Sequence, residues 1–87
     1  MSTSAASDFG QGVTATSVIV TDDALRVALS DGRELTVPLV WFPRLLGATP
    51  QERKDWRLIG GGVGIHWEAI DEDLSVAGLL KGSRAPA

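Results

Sequence analysis

Residues 16–20, TSVIV, form a β-branched run that predicts a strand, and the TDD that follows reads as a turn. Leu25, Val27 and Leu29 then alternate with Arg26 and Ala28, the period of a half-buried strand. Beyond a further turn, Leu35 and Val37 alternate with Glu34 and Thr36. The apolar pattern decides how these two runs pair. A two-residue loop, Asp31-Gly32, puts Leu29 opposite Glu34 and Ala28 opposite Leu35, which mixes the faces. A three-residue loop, Ser30-Asp31-Gly32, pairs Leu25 with Val37, Val27 with Leu35 and Arg26 with Thr36. Opposite residues share a face, so the three-residue loop is expected, with Gly32 at its left-handed position.

Pro38 ends that strand. Pro43 suits the first turn of a short helix that Gly47 stops. Thr49-Pro50-Gln51-Glu52 is a capping box with proline at the first helical position. Residues 56–60, WRLIG, and 63–67, VGIHW, read as two more strands. With Gly61-Gly62 as a two-residue turn, Trp56 pairs with Trp67, Leu58 with Ile65 and Arg57 with His66. A three-residue loop sets His66 opposite Trp56 and breaks the pattern. The glycines of this reversal supply positive φ angles and close approach.

The last stretch, DEDLSVAGLLKG, reads as a short helix with Asp71, Glu72 and Asp73 at its positive end. Leu74, Ala77 and Leu80 form its apolar stripe, Lys81 lies in the last turn and Gly82 is the C-cap. Gly78 weakens this helix by about 1 kcal/mol relative to alanine. Strands, helices, strands and a helix in that order predict an α+β fold. The expected architecture is a mainly antiparallel sheet of about four to five strands in two hairpins, with two or three short helices.

Length and charge narrow the function. A chain of 87 residues is one small domain, expected over 13–82 between a Ser/Ala/Gly-rich tail at 1–12 and a frayed end at 83–87. A domain of this size buries roughly 60–65% of its unfolded surface, so a homo-oligomer or a protein partner is expected to add burial. The composition, 44% hydrophobic and 22% charged, is that of an ordinary globular domain. With no cysteine, the chain has no disulfide, no thiolate zinc site and no cysteine nucleophile, which fits a cytoplasmic protein. The start lacks a basic n-region and an apolar h-region. The longest apolar run, Val37 to Phe42, falls far short of the roughly 20 residues a spanning helix needs, so no membrane role is expected. Net charge is −3, which disfavours nucleic acid. Arg44, Arg53, Lys54 and Arg57 make a locally basic middle whose plain reading is a solvated face.

Candidate chemistry centres on the single histidine. Gly60 to Gly64 lacks the lysine, the hydroxyl and the helix start of a phosphate loop. His66 with Glu68, Asp71 and Asp73 suggests a metal set, but only one nitrogen ligand is available and no recognised metal spacing is present. His66 paired with Asp71 or Asp73 would make a general base, with Ser75 and Ser30 as the nearest hydroxyls by sequence and no nucleophile elbow. Arg57 opposite His66 is expected to favour the neutral imidazole. The Trp41-Phe42-Pro43 cluster reads first as a core plug between sheet and helices. Its sharper reading is a protein-binding anchor centred on Trp41 and Arg44, suited to a basic or apolar partner.

The segment from Leu29 to Gly82 resembles the DUF2442 family of small bacterial domains, and the resemblance covers roughly 20–82. The matching pieces are Asp31-Gly32-Arg33, Pro38 to Pro43 with Trp41, Arg44-Leu45, Ala48-Thr49, Gly64-Ile65-His66-Trp67, Asp71-Glu72-Asp73 and Leu79-Leu80. The resemblance implies a small α+β fold and no established activity. Some members are similar to partners in toxin–antitoxin-like gene pairs. Others carry a fused helix-turn-helix, for which these 87 residues leave no room.

The expected function is a non-enzymatic protein-binding or regulatory module, an antitoxin-like partner of a small bacterial protein. Trp41, Arg44 and His66 are the expected partner contacts, and neither cofactor nor metal is expected. The alternative is a small ligand-binding domain or enzyme centred on His66 and Asp71. The two readings separate experimentally. A partner module keeps its binding after His66→Gln and loses it after Trp41→Ala, whereas an enzyme needs a wet pocket around His66.

Overall fold

A computed structural model describes residues 12–82. Apart from Gly12, the tails expected at 1–12 and 83–87 lie outside the described residues. The first sheet is antiparallel, in the order β1 (Ala15–Val20), β2 (Ala24–Leu29) and β3 (Glu34–Pro38). Leu25 faces Val37, Arg26 faces Thr36 and Val27 faces Leu35, as the shared-face argument requires. The Leu29 N–H donates to the Arg33 carbonyl at 2.8 Å and closes the three-residue loop, with Gly32 at φ +94°. The Asp31 carboxylate braces that loop by accepting the Arg33 N–H at 3.0 Å, the main reason its pKa lies below the ordinary value. Val18, Leu25, Val27, Leu29 and Val37 point into the core, while Ile19, Arg26 and Thr36 line the outer face.

One turn of 3-10 helix (Leu39–Trp41) leads into α1 (Pro43–Leu46) and α2 (Pro50–Lys54). The capping box forms in full. Thr49 Oγ1 accepts the Glu52 N–H at 3.1 Å, and Glu52 Oε1 accepts the Thr49 N–H at 2.9 Å. Gly47 ends α1 in a right-handed conformation, φ −84°, so it supplies no left-handed cap. The open carbonyls at that helix end go to Arg53 instead. Its Nε donates to Leu45 O at 2.9 Å and its Nη2 to Leu46 O at 2.8 Å.

The second sheet is also antiparallel, in the order β4 (Trp56–Ile59), β5 (Gly64–Trp67) and β6 (Glu72–Ser75). Trp56 faces Trp67, Arg57 faces His66 and Leu58 faces Ile65, the expected register. The reversal is a four-residue loop rather than the expected two-residue Gly61-Gly62 turn. It spans Gly60 to Val63 and closes through the Gly62 N–H on Ile59 O at 3.1 Å, with Gly60 and Gly61 central at φ +60° and +71°.

Two expectations need correction. Residues 72–75 are a strand, because Glu72 to Ser75 ladder onto Gly64 to Trp67. The helix, α3 (Val76–Lys81), therefore starts after the carboxylates rather than on them. Ser75 Oγ caps it by accepting the Gly78 N–H at 2.9 Å, and Gly82 ends it at φ +84°. Its buried side chains are Val76 and Leu79, not the Leu74, Ala77 and Leu80 stripe. The single sheet of four to five strands is accordingly two three-stranded sheets.

The sheets and helices enclose one apolar cluster. Trp67, Phe42, Leu25, Leu39, Leu45 and Ile65 are its largest fully buried members. The glycine loop locks the two sheets together. The Ala15 N–H of β1 donates to Gly62 O at 2.8 Å, and a Cβ on Gly62 would lie 2.6 Å from Ala15 O.

Candidate functional site

Strand alternation sorts the second sheet into two rows. Trp56, Trp67 and Glu72 lie side by side on the inner face, and Arg57, His66 and Asp73 on the outer face. The outer row forms a charged network. His66 Nδ1 lies 2.5 Å from Asp73 Oδ1, and Nε2 lies 2.9 Å from Glu68 Oε1. Arg57 Nη2 reaches the same Glu68 oxygen at 3.4 Å. Ionised carboxylates only accept hydrogen bonds, so satisfying both ring contacts requires both imidazole nitrogens to carry protons. The pKa of His66 is raised accordingly, first by its bond to Asp73 and then by that to Glu68, against the opposing effect of burial. The expectation that Arg57 favours the neutral ring is thus overturned. Arg57 stands opposite His66 in the ladder, but its guanidinium turns to Glu68.

Asp71 does not stand beside His66 as expected. It adopts a left-handed backbone conformation, φ +51°, in the turn between β5 and β6. Its N–H donates to Glu68 O at 3.3 Å, and its carbonyl accepts Arg44 Nη1 at 2.5 Å. The partner of His66 on β6 is Asp73. Neither serine joins the ring. Ser75 caps α3, and Ser30 Oγ accepts the Thr14 N–H at 3.0 Å.

The three expected contact residues therefore occupy linked places. Arg44 and His66 grip opposite ends of one turn, 68–71. Trp41 lies at the end of the 3-10 turn, half-buried against the core, while its neighbour Phe42 is the fully buried plug. Arg44 is exposed, and so are Val40, at 66%, and Leu46, at 43%, on the same short segment.

The basic middle is not one surface. Arg53 is buried, with Nη1 on Asp22 Oδ1 at 2.8 Å besides the two carbonyls of α1. Arg57 belongs to the His66 network on the other sheet face. Only Lys54 and Arg44 remain exposed without a carboxylate partner among the described residues.

The sequence reading places Glu72 only at a helix start. It is buried, and its Oε2 has no hydrogen-bond partner among the described residues. The signal that could have found it is the period-two alternation of Glu72, Asp73 and Leu74. Among the described residues no three His, Cys, Asp or Glu side chains gather as a metal set, and no helix is long and apolar enough to cross a membrane.

Comparison with known proteins agrees with this fold. The model of the family described as "Protein of unknown function (DUF2442)" matches residues 15–85, and the chain belongs to that family. A crystal structure of a protein of unknown function from Rhodospirillum rubrum ATCC 11170 is similar at 28% identity. The match has a TM-score of 0.73 and covers 85% of this chain and 92% of that one. A solution NMR structure of an uncharacterized protein from Chromobacterium violaceum is similar at 30% identity. Its TM-score is 0.71, and the match covers 85% of this chain and 70% of that one. No curated protein matches the chain.

Proposed function

We propose that this DUF2442 protein is a non-enzymatic binding or regulatory module that engages a protein partner through the 39–46 segment and the adjoining turn 68–71. One observation carries the reading. The exposed Arg44 guanidinium is anchored by a single N–H on Asp71 O, and it lies in a short segment with exposed Val40 and Leu46. A pre-positioned guanidinium on a short segment that also exposes aliphatic side chains is the composition of an interface anchor. Its local chemistry suits an apolar partner segment bearing a carboxylate. Trp41, half-buried on the same segment, is a further partner contact, and His66 contributes through the turn, its ring being already engaged. The antitoxin-like form of the reading, with a small bacterial protein as partner in the cytoplasm, rests on the resemblance to family members in such gene pairs.

The alternative, a ligand-binding domain or enzyme centred on His66 and Asp71, has less support. Both ring nitrogens of His66 already bond carboxylates, and Asp71 serves Arg44. A general base needs a free nitrogen within reach of the proton it takes.

The test is co-purification of the tagged full chain with the products of its neighbouring genes. The wild type and Arg26→Ala, altered on the outer face of the first sheet, retain the same partner. Arg44→Glu loses it. Equal recovery by Arg44→Glu contradicts the proposal.

A further inference from the structure

The outer row of the second sheet and the proposed partner surface share the turn 68–71. We infer that the proton on His66 controls this turn, so that the β5–β6 connection is a proton-sensitive clasp acting on Arg44. The inference rests on the proposed surface only for its consequence, since the clasp itself is a property of the isolated chain.

Both nitrogens of His66 face carboxylate oxygens, at 2.5 Å to Asp73 and 2.9 Å to Glu68. A neutral imidazole has one N–H, so losing a proton turns one of these contacts into a lone pair facing a lone pair. The contact given up is the longer one, to Glu68, which then keeps only the 3.4 Å contact to Arg57. Glu68 opens the turn, and its carbonyl holds the Asp71 N–H through a long bond of 3.3 Å. Asp71, already in the left-handed region at φ +51°, presents the carbonyl that positions Arg44. A change at His66 is therefore passed through Glu68 and Asp71 to the guanidinium.

Three charged groups face the ring. Arg57 comes from β4, Glu68 from the turn and Asp73 from β6. The two carboxylates favour the protonated ring, and the Arg57 guanidinium is turned to Glu68. The raised pKa of His66 agrees with this arrangement.

The test is an NMR titration of the isotopically labelled full chain from about pH 5 to about pH 9, the range in which histidine changes charge. The expected result is one shared transition in the His66 ring, the Glu68 and Asp71 amides and the Arg44 Nε–H. Its midpoint lies above the ordinary 6.5. His66→Gln abolishes the transition at all four positions. Glu68→Gln, an exposed change that leaves the Asp73 bond intact, keeps a His66 transition and silences Asp71 and Arg44. An Arg44 signal that stays flat while wild-type His66 titrates overturns the inference, as does a midpoint at or below the ordinary value. So does a Glu68→Gln chain in which Asp71 and Arg44 still follow the ring. Failure to find a partner leaves this titration unchanged, so the two ideas fail separately.

Discussion

The indole of Trp67 donates its N–H to the backbone carbonyl of Arg53 at 3.1 Å, while the Arg53 guanidinium closes the open end of α1. One residue thus ties the largest core side chain of the second sheet to the helices beyond the first. The Asp22 carboxylate, between β1 and β2, supplies a further attachment. A charged side chain buried here is explained by geometry, because its fork spans three acceptors on two elements.

Replacing Arg53 with methionine keeps the bulk and removes the guanidinium's bonds to Leu45 O, Leu46 O and Asp22. The expected loss is about 1.5–3 kcal/mol, the worth of hydrogen bonds to a charged group. Arg53→Lys recovers little of it, since one ammonium does not span all three partners. Urea denaturation of both variants checks this, and a loss below about 0.5 kcal/mol would assign Arg53 to the surface.

The glycine reversal predicts a contrast between neighbours. At Gly62, φ +100°, a Cβ would meet Ala15 O at 2.6 Å, whereas at Gly61, φ +71°, it meets nothing within 4 Å. Gly62→Ala should cost about 2–4 kcal/mol, combining backbone strain with a clash against the first sheet. Gly61→Ala should cost about 1–2 kcal/mol from strain alone. Thermal unfolding of the pair is the measurement, and equal losses would mean that the seam between the sheets is not packed as described.

The register of both hairpins was readable in the sequence because period-two alternation admits one closure that keeps faces matched. Thr49 and Glu52 announced their helix for a similar reason, the residue types being specific to the job. The sixth strand was hidden because carboxylates at 71–73 suit a helix start as well as a strand, and only the pairing with β5 decides. Alternation also says nothing of which strand lies beside which, so one sheet and two were equally compatible with it. Arg53 looked like a surface cation because its acceptors are carbonyls, which carry no mark in the sequence. The alternation left both Asp71 and Asp73 open as partners of His66, and the same unseen strand selects Asp73.

Stability should depend on pH through His66. The folded chain holds the ring proton more tightly than the unfolded chain, whose imidazole titrates near 6.5. The stabilising contribution is therefore complete below the unfolded value and is lost as pH rises through the folded one. Urea midpoints measured across that interval should fall for the wild type with rising pH. The curve for His66→Gln should lack this step, and a wild-type midpoint that rises over the same interval contradicts the assignment.

The proposed partner surface consists of the 39–46 segment and turn 68–71. Hydrogen exchange read by mass spectrometry, on the full chain with and without its co-purified partner, tests it most directly. Peptides covering 39–46 and 68–71 are predicted to gain protection, and those of β2 and β3 to remain unchanged. Protection confined to the first sheet, with 39–46 unaltered, would contradict it.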